Sequence, residues 1–327
     1  MQFIYTGRMS ADYHTPGTPI LGNSDKAPPV AEKTINMDDL LISSAFVYDL
    51  DETLAHYELR GEISKKIGYA LAEHYDRRIF RAIAKGARKA SPVSASGKAE
   101  PGGTQIRVGS TGTAGSDAYD PGHLVNAFYD AAAALDEKGV GSQGRVAVLN
   151  PRQYYALINA TGSSNGSAVV STGLVNRDAQ GNALQSGQGV IEIAGIKIYK
   201  SMNIPFFGNY GTIYGSGSAT NPGVTSPGNI GDYVGEAIET SDDGNQGEGQ
   251  YGVKTDFSKS CGLIFQKEAA AVVEAVGPQV QTTNGDISVI YQGDVILGRL
   301  AMGTDYLNPA ACVELFAGAT TGNGVIS

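Results

Sequence analysis

Two aspartates directly after an apolar run are the residues of this chain best placed to do chemistry. Residues 45–48, AFVY, are typical of a buried strand, and Asp49-Leu50-Asp51 follows them at once. An aspartate at the end of such a strand can attack phosphorus as a nucleophile, and a second one two residues later can act as general acid and base. This spacing therefore raises the hypothesis of phosphoryl transfer.

The same residues also fit the start of a helix. Residues 48–54, YDLDETL, resemble the first motif of haloacid-dehalogenase-type phosphatases, but Asp49 followed three residues later by Glu52 is also a carboxylate form of a capping box. Such a phosphatase needs a further acidic pair after an apolar strand, whereas Asp242-Asp243 lies in the polar stretch 239–252. We interpret Asp49 and Glu52 as a helix cap and keep the phosphatase as an alternative.

The remaining residues with reactive side chains are scattered. The four histidines, at positions 14, 56, 74 and 123, have no spacing typical of metal ligands. Cys261 and Cys312 have no CxxC partner and are too few for a disulfide framework, which favours buried thiols in a reducing compartment. The sequence therefore predicts no metal, no cofactor and no enzymatic activity.

Composition narrows the function classes further. The net charge is -9, which disfavours a protein that reads DNA sequence. The one basic run, residues 77–89, predicts a solvated or subunit-facing helix face rather than a nucleic-acid site. No run approaches the ~18 apolar residues of a membrane span, so no membrane partner is expected. The 44 glycines cluster in segments that predict loops.

Residues 34–87 predict a strand followed by a long helix. Ile35 and Met37 take alternate positions, as in a half-buried strand, and Leu40 and Ile42 are candidates for continuing it. From about Asp49 the apolar period becomes helical, and proline is absent from position 50 to position 90. A helix over that whole run would span ~60 Å, which suits a strut rather than the core of a compact domain.

The other segments alternate between helix and strand. Residues 1–33 predict a hairpin arm that rests on a neighbouring subunit, because their prolines and polar residues cannot build a core. Further predictions are a loop or weak hairpin at 105–108, a helix from Asp120-Pro121 to Gly139, a strand at 145–150, a helix at 152–159, a hairpin turning near Ala194-Gly195, a strand at 262–265, helix or strand at 268–276, a hairpin turning at Asn284-Gly285, strand or helix at 295–301 and a last strand at 311–316. The mixture is α+β.

In this order, the segments resemble the major capsid proteins of short-tailed double-stranded DNA bacteriophages of the podovirus and autographivirus type. The resemblance rests on residues 34–42 (TINMDDLLI), 48–52, 56–60, 68–72, 145–157 (RVAVLNPRQYYAL), 195–201 (GIKIYKS) and 301–311. It covers nearly the whole chain, and the order of the segments makes it specific.

The resemblance implies the Johnson fold of tailed-phage and herpesvirus coat proteins. It assigns residues 1–33 to the extended loop, 34–120 and 275–316 to a peripheral domain with a spine helix, 121–274 to the axial domain and 317–327 to a flexible tail. Family members normally have an arm before the extended loop, so we expect that it is either missing from this sequence or dispensable.

The resemblance also implies partners and contacts. We expect hexamers and pentamers of the chain in an icosahedral shell around non-specifically held DNA, a scaffolding protein, a portal at one vertex and optionally a decoration protein. The protein would reside in the virion, and in the host cytoplasm during assembly. A tail or fibre component is the other structural alternative. The candidate intersubunit contacts are Tyr5, Arg8, Tyr13, Asp25, Lys26, Lys33, Arg77, Arg78 and Arg81.

Overall fold

The computed structural model of the chain describes residues 1–9, 13–17, 29–37, 40–48, 50, 54, 59–91, 93, 100–109, 117–158, 191–204, 260–283, 290–316 and 325–326. The described strands are, in chain order, β1 (Gln2–Thr6), β2 (Val30–Thr34), β3 (Leu41–Tyr48), β4 (Thr104–Arg107), β5 (Val146–Leu149), β6 (Ile191–Ile193), β7 (Ile196–Lys200), β8 (Ser260–Phe265), β9 (Ala270–Thr282), β10 (Gly293–Tyr306), β11 (Cys312–Phe316) and β12 (Val325–Ile326). The described helices are α1 (Leu59–Ala87), α2 (Pro121–Glu137) and α3 (Pro151–Ile158), with 3-10 turns at Asp117–Tyr119 and Pro309–Ala311.

The chain folds into two compact units. The first holds Met1, residues 35–79 and residues 271–305, and the second holds residues 2–34, 80–270 and 306–327. Both units combine helix with sheet, which confirms the predicted α+β class. The limits and names of the predicted domains, from extended loop to axial domain, stay predictions.

The first unit packs α1 against a three-stranded sheet of order β3-β10-β9. Alternate residues of β10 face α1, and Gly298 is one of them. A Cβ at this position would lie only 2.4 Å from Ile67 Cγ2 of α1. The missing side chain lets helix and sheet approach closely. The buried core of this unit comprises Val47, Ile67, Leu71, Ile296, Leu300 and Met302.

The predicted alternation of Ile35, Met37, Leu40 and Ile42 on one buried face is wrong. Ile35 is buried, but the other three are exposed. The strand begins at Leu41, which the β3–β10 register pairs with an inward-facing leucine of β10. Because side chains alternate between faces, a shift of one residue sends Ile42 to the open face.

Helix α1 spans 29 residues, which gives about 44 Å at 1.5 Å per residue. Leu50 and Leu54 also have helical backbone. The residues between them and α1, like the predicted cap residues Asp49 and Glu52, lie outside the described residues, so the cap stays a prediction.

The second unit contains a seven-stranded sheet of order β12-β4-β11-β8-β5-β7-β6. Strand β4 is buried and pairs in parallel with β11, so the predicted loop or weak hairpin at 105–108 is wrong. The sequence gives little sign of β4 because only four residues form it, and its polar side chains find partners inside the unit. The largest fully buried side chains of this unit include Phe128, Leu124, Leu135, Leu149, Ile198 and Ile204.

Helix α2 begins and ends where the sequence predicts. The Asp120 carboxylate accepts hydrogen bonds from the Gly122 amide at 2.7 Å and the His123 amide at 3.4 Å. Pro121 occupies the first helical turn, and Gly139 follows the helix at φ 71°. These are the expected capping devices at the two ends of a helix.

The predicted hairpin at 189–202 is confirmed as β6 and β7, joined by Ala194 and Gly195. Both turn residues have positive φ, 52° and 74°, as a primed two-residue turn requires. The neighbouring predictions also hold, since β5 lies within 145–150 and α3 begins at Pro151, one residue earlier than expected.

The two segments predicted as either helix or strand are both strands: residues 270–276 of the segment 268–276 belong to β9, and residues 295–301 belong to β10. These strands are neighbours in the sheet. The Thr283 amide donates to the Val295 carbonyl at 2.9 Å. The end of β9 is thus tied to β10, while residues 284–289, and with them the predicted Asn284-Gly285 turn, lie outside the described residues, so the turn stays a prediction. The last strand, β11, is confirmed.

Candidate assembly interface

The predicted arm is a two-stranded hairpin within the second unit. Strands β1 and β2 pair antiparallel from Gln2–Thr34 to Thr6–Val30, and the Gly7 amide extends the ladder to the Pro29 carbonyl at 2.8 Å. One face is half-buried (Phe3, Tyr5, Ala31 and Lys33), and the other is exposed (Gln2, Ile4, Thr6, Val30, Glu32 and Thr34). We call the exposed set the outer face of the arm.

Two side chains of the half-buried face hold the arm to its own subunit. The Tyr5 hydroxyl donates to Asn308 Oδ1 at 3.2 Å, and burial raises the pKa of Tyr5 to about 12. Asn308 Oδ1 also accepts the Ala310 amide at 3.1 Å and thereby caps the 3-10 turn that follows. Lys33 Nζ lies 3.8 Å from the centre of the Tyr306 ring, a cation–π contact. The inner face is therefore occupied within one subunit.

A third anchor lies at the far end of the ladder. Arg8 Nε is 3.2 Å from Glu100 Oε2, and Arg8 Nη2 donates to the Lys138 carbonyl. Lys138 follows α2, so the guanidinium meets carbonyls at the negative end of a helix. Lys138 Nζ in turn donates to the carbonyls of Gly102 at 2.6 Å and Gly103 at 2.9 Å, and burial lowers the pKa of Lys138.

The second unit also contains a buried ion pair between Arg88 and Glu314. Glu314, in the middle of β11, has a fully buried side chain. It accepts hydrogen bonds from Arg88 Nε at 2.6 Å and Arg88 Nη2 at 2.5 Å, and from Gln105 Nε2 at 2.7 Å. Gly103 passes so close to the end of α1 that a Cβ would lie 2.3 Å from the Gly86 carbonyl oxygen. Residues of α1, β4 and β11 are thus fixed together.

The structure places the predicted contact residues in different settings. Tyr5, Arg8 and Lys33 form the three anchors of the arm, and Tyr13 is fully exposed. Asp25 and Lys26 lie outside the described residues. A contact between neighbouring copies through any of these residues stays a prediction.

The interpretation of the basic run as a solvated helix face is wrong for most of its members. Arg77, Arg78, Arg81 and Lys85 are all buried within the single chain. Arg77 forms an ion pair with Glu73, one turn earlier in α1. Sequence spacing places these residues along one helix but does not reveal what covers it. Contact with a neighbouring copy through the three arginines stays a prediction.

Sequence reasoning missed Glu100, Lys138, Asn308 and the Arg88–Glu314 pair. The signal for Glu314 was a lone acid in an otherwise apolar strand, since a buried carboxylate needs a cationic partner. The Asn308-Pro309 step was an N-cap signal for the 3-10 turn. No feature of the sequence distinguishes Glu100 and Lys138 from ordinary exposed charged residues.

The described residues offer hydrogen-bonding and packing surfaces. Within them, no group of three or more His, Cys, Asp or Glu residues could hold a metal ion. None of the described helices is long and apolar enough to cross a membrane. Asp49 and Asp51 of the phosphatase alternative lie outside the described residues.

Comparison with known proteins agrees with the resemblance in the sequence. The family model described as Gp10A-like major capsid protein matches residues 2–316. The major capsid protein of Escherichia phage T7 is 25% identical over 315 residues, which cover 95% of this chain and 80% of that protein. That of Enterobacteria phage T3 is 32% identical over 85 residues, which cover 25% of this chain and 24% of that protein.

Solved capsid structures have the same fold. The capsid structure of cyanophage P-SCSP1u has a TM-score of 0.68 at 28% identity, covering 98% of this chain and 84% of that one. The mature capsid of bacteriophage PhiM1 has a TM-score of 0.63 at 13% identity, covering 96% and 81%. These neighbours confirm the Johnson fold, and nothing in them supports a phosphatase. The chain belongs to the family of Gp10A-like major capsid proteins of bacteriophages.

Proposed function

We propose that this protein assembles with copies of itself, as hexamers and pentamers, into the icosahedral shell that encloses double-stranded phage DNA. The observation that carries the proposal is the family match over residues 2–316, together with capsid neighbours that cover nearly the whole chain. We assign the protein a structural role in the virion, without catalysis, after assembly in the host cytoplasm.

Two apolar surfaces favour a protein that works among copies of itself. On the outer face of the arm, Ile4 is 78% exposed and Val30 is 61% exposed. On the open face of the three-stranded sheet, the edge strand β3 exposes Ile42, Phe46 and Tyr48, each by at least 40%, with Ser44 between the first two. Exposed apolar side chains grouped in this way mark surfaces that a partner covers.

The remaining partners are part of the same proposal. A scaffolding protein guides assembly, a portal occupies one vertex, and a decoration protein is an optional addition. The packaged DNA is held non-specifically, and the net charge of -9 keeps its adhesion to the shell weak. Tight binding of isolated subunits to duplex DNA at moderate salt would contradict this last point.

Electron microscopy of the purified full chain, with a scaffolding protein present if needed, tests the proposal. We expect rings and closed particles with six-fold and five-fold units. Elongated trimeric rods would point instead to a tail or fibre component. Magnesium-dependent phosphatase turnover that Asp49→Asn abolishes would establish a catalytic role.

The outer face of the arm can be tested separately. Ile4→Asp places a charge on an exposed position, so the subunit should fold normally while its contact with a neighbour is weakened. We expect a lower yield of particles at equal subunit concentration. Ile4→Val keeps an apolar side chain and is the matched control. An unchanged particle yield with Ile4→Asp would show that this face makes no assembly contact.

A further inference from the structure

Arg8 lies at the end of the β1–β2 ladder that is farthest from its first residue pair, so its contacts strongly restrain the direction of the arm. The β1–β2 ladder begins at the Gln2–Thr34 pair, and its last described hydrogen bond joins Gly7 and Pro29. Six residues of extended chain cover ~20 Å, so Arg8 lies about that far from the first pair. A contact at this end therefore limits any swing of the hairpin more strongly than a contact near its start.

Arg8 contacts two segments that hydrogen bonds of Lys138 join to each other. Glu100 Oε2 accepts from Arg8 Nε at 3.2 Å, and the Lys138 carbonyl accepts from Nη2. Lys138 Nζ binds the Gly102 and Gly103 carbonyls, so the segment that follows Glu100 is tied to the end of α2. The Arg8 guanidinium thus binds two acceptors at once, and the hydrogen bonds of Lys138 keep those acceptors close together.

The setting of the ion pair makes this grip reversible. The Arg8 side chain is 49% exposed and that of Glu100 is 17% exposed. Water and dissolved ions screen a pair of this kind, so its strength falls as salt is added. By contrast, the nearby contact of Tyr5 with Asn308 joins two neutral groups and should respond little to salt.

We propose that Arg8 is a salt-sensitive latch that fixes the direction of the arm on its own subunit before assembly. The outer face, with Ile4 and Val30, is then already presented when a neighbouring copy arrives. This last step rests on the proposed shell function. Ordering a segment before binding lowers the entropy lost on association, so the latch should speed assembly rather than add contacts to the finished shell.

Hydrogen exchange of the unassembled subunit, followed by mass spectrometry, tests the latch without any particle. Arg8→Gln removes the charge and one side of the grip, and we expect the Gly7 amide and the ladder amides around it to exchange about 3- to 10-fold faster. Arg8→Lys keeps the charge but cannot reach both acceptors, so an intermediate rate is expected. Wild-type exchange should also accelerate when salt is raised from ~0.05 M to ~0.5 M.

The matched control is Lys65→Gln, which removes one positive charge from an exposed ion pair with Glu62 in the other unit. It should leave exchange in the arm unchanged. Arm exchange within twofold of wild type in Arg8→Gln would overturn the latch, and so would an absence of salt dependence in the wild-type chain.

Assembly kinetics, measured by light scattering of the full chain, test the second step. Arg8→Gln should lower the rate of particle formation about 3- to 10-fold, and the final particles should look like wild type. A wild-type assembly rate despite faster arm exchange would overturn the role in assembly. Failure of the wild-type chain to form particles even with a scaffolding protein present would contradict the proposed function, and the exchange experiment would still decide whether the latch exists.

Discussion

Replacing Glu314 by glutamine should lower the free energy of unfolding of the second unit far more than the small change in side-chain shape suggests. The carboxylate is fully buried and accepts three hydrogen bonds, two from Arg88 and one from Gln105. Glu314→Gln keeps the volume but removes the negative charge, and it turns one acceptor into an NH2 donor that faces other donors. The Arg88 side chain, 13% exposed, then lacks its counter-charge.

The size of the effect follows from this burial. Removing one partner of a buried ion pair costs about 3–5 kcal/mol, because the other charge stays desolvated. An exposed ion pair costs less than about 1 kcal/mol to break, so the two cases are easy to distinguish. For a unit of this size, the loss corresponds to a fall in melting temperature of about 10 °C.

Urea unfolding of the unassembled subunit, followed by far-ultraviolet circular dichroism and by tyrosine fluorescence, measures the change. The chain has 17 tyrosines and no tryptophan, so its fluorescence comes from tyrosine. Glu62→Gln, which breaks an exposed pair with Lys65, is the control and should leave the midpoint unchanged. A loss below 1 kcal/mol for Glu314→Gln would refute the argument from burial.

The double variant Arg88→Leu with Glu314→Leu separates charge from packing. With both charges gone, neither of these two positions leaves an unpaired buried ion, and the loss should be at most about half of that for Glu314→Gln. Part of it would come from Gln105, whose amide loses its acceptor. A double variant as unstable as the single one would show that shape, and not charge, decides the stability of this position.

Three further predictions concern positions whose environment is well defined. Gly298→Ala should lower the free energy of unfolding by about 1–3 kcal/mol in urea titrations, because the new Cβ would lie 2.4 Å from Ile67 Cγ2; an unchanged midpoint would contradict this close packing. Asp120→Ala removes the N-cap of α2 and should cost about 1 kcal/mol in the same assay, with Asp120→Asn as a control that keeps an acceptor. Burial raises the pKa of the Cys261 thiol from 9.0 to about 12, so the contribution of this thiol to stability should be constant below pH 9 and be lost between pH 9 and 12 as the unfolded thiol ionises; a Cys261→Ala variant that loses as much stability as wild type over that pH range would contradict this cause.

The sequence predicted best where a local signal decides the structure. The ends of α2 follow from Asp120, Pro121 and Gly139, and each of these acts on the backbone next to it. The β6–β7 hairpin follows from Ala194-Gly195 for the same reason. Such capping and turn preferences need no knowledge of distant residues.

The sequence predicted poorly where distant residues decide. The face on which Ile42 lies depends on its pairing with Arg299, more than 250 positions later. The short strand β4 is stable because β11, which comes much later in the chain, covers one of its edges. The burial of Arg81 likewise depends on packing around α1 that helical spacing cannot reveal. Family resemblance supplied the fold that local rules could not.

The polar contacts around the arm form one continuous set that leads from the arm into the sheet of the second unit. Arg8 holds the arm to the Lys138 carbonyl, and Lys138 holds the segment that leads into β4. The β4 residue Gln105 binds Glu314, which in turn binds Arg88 just after α1. The exposure of the charged side chains decreases along this order, from the Arg8–Glu100 pair at the arm to the Arg88–Glu314 pair in the sheet. Because water and ions screen an exposed pair more than a buried one, we expect added salt to weaken the contact at the arm first and to leave the pair in the sheet intact.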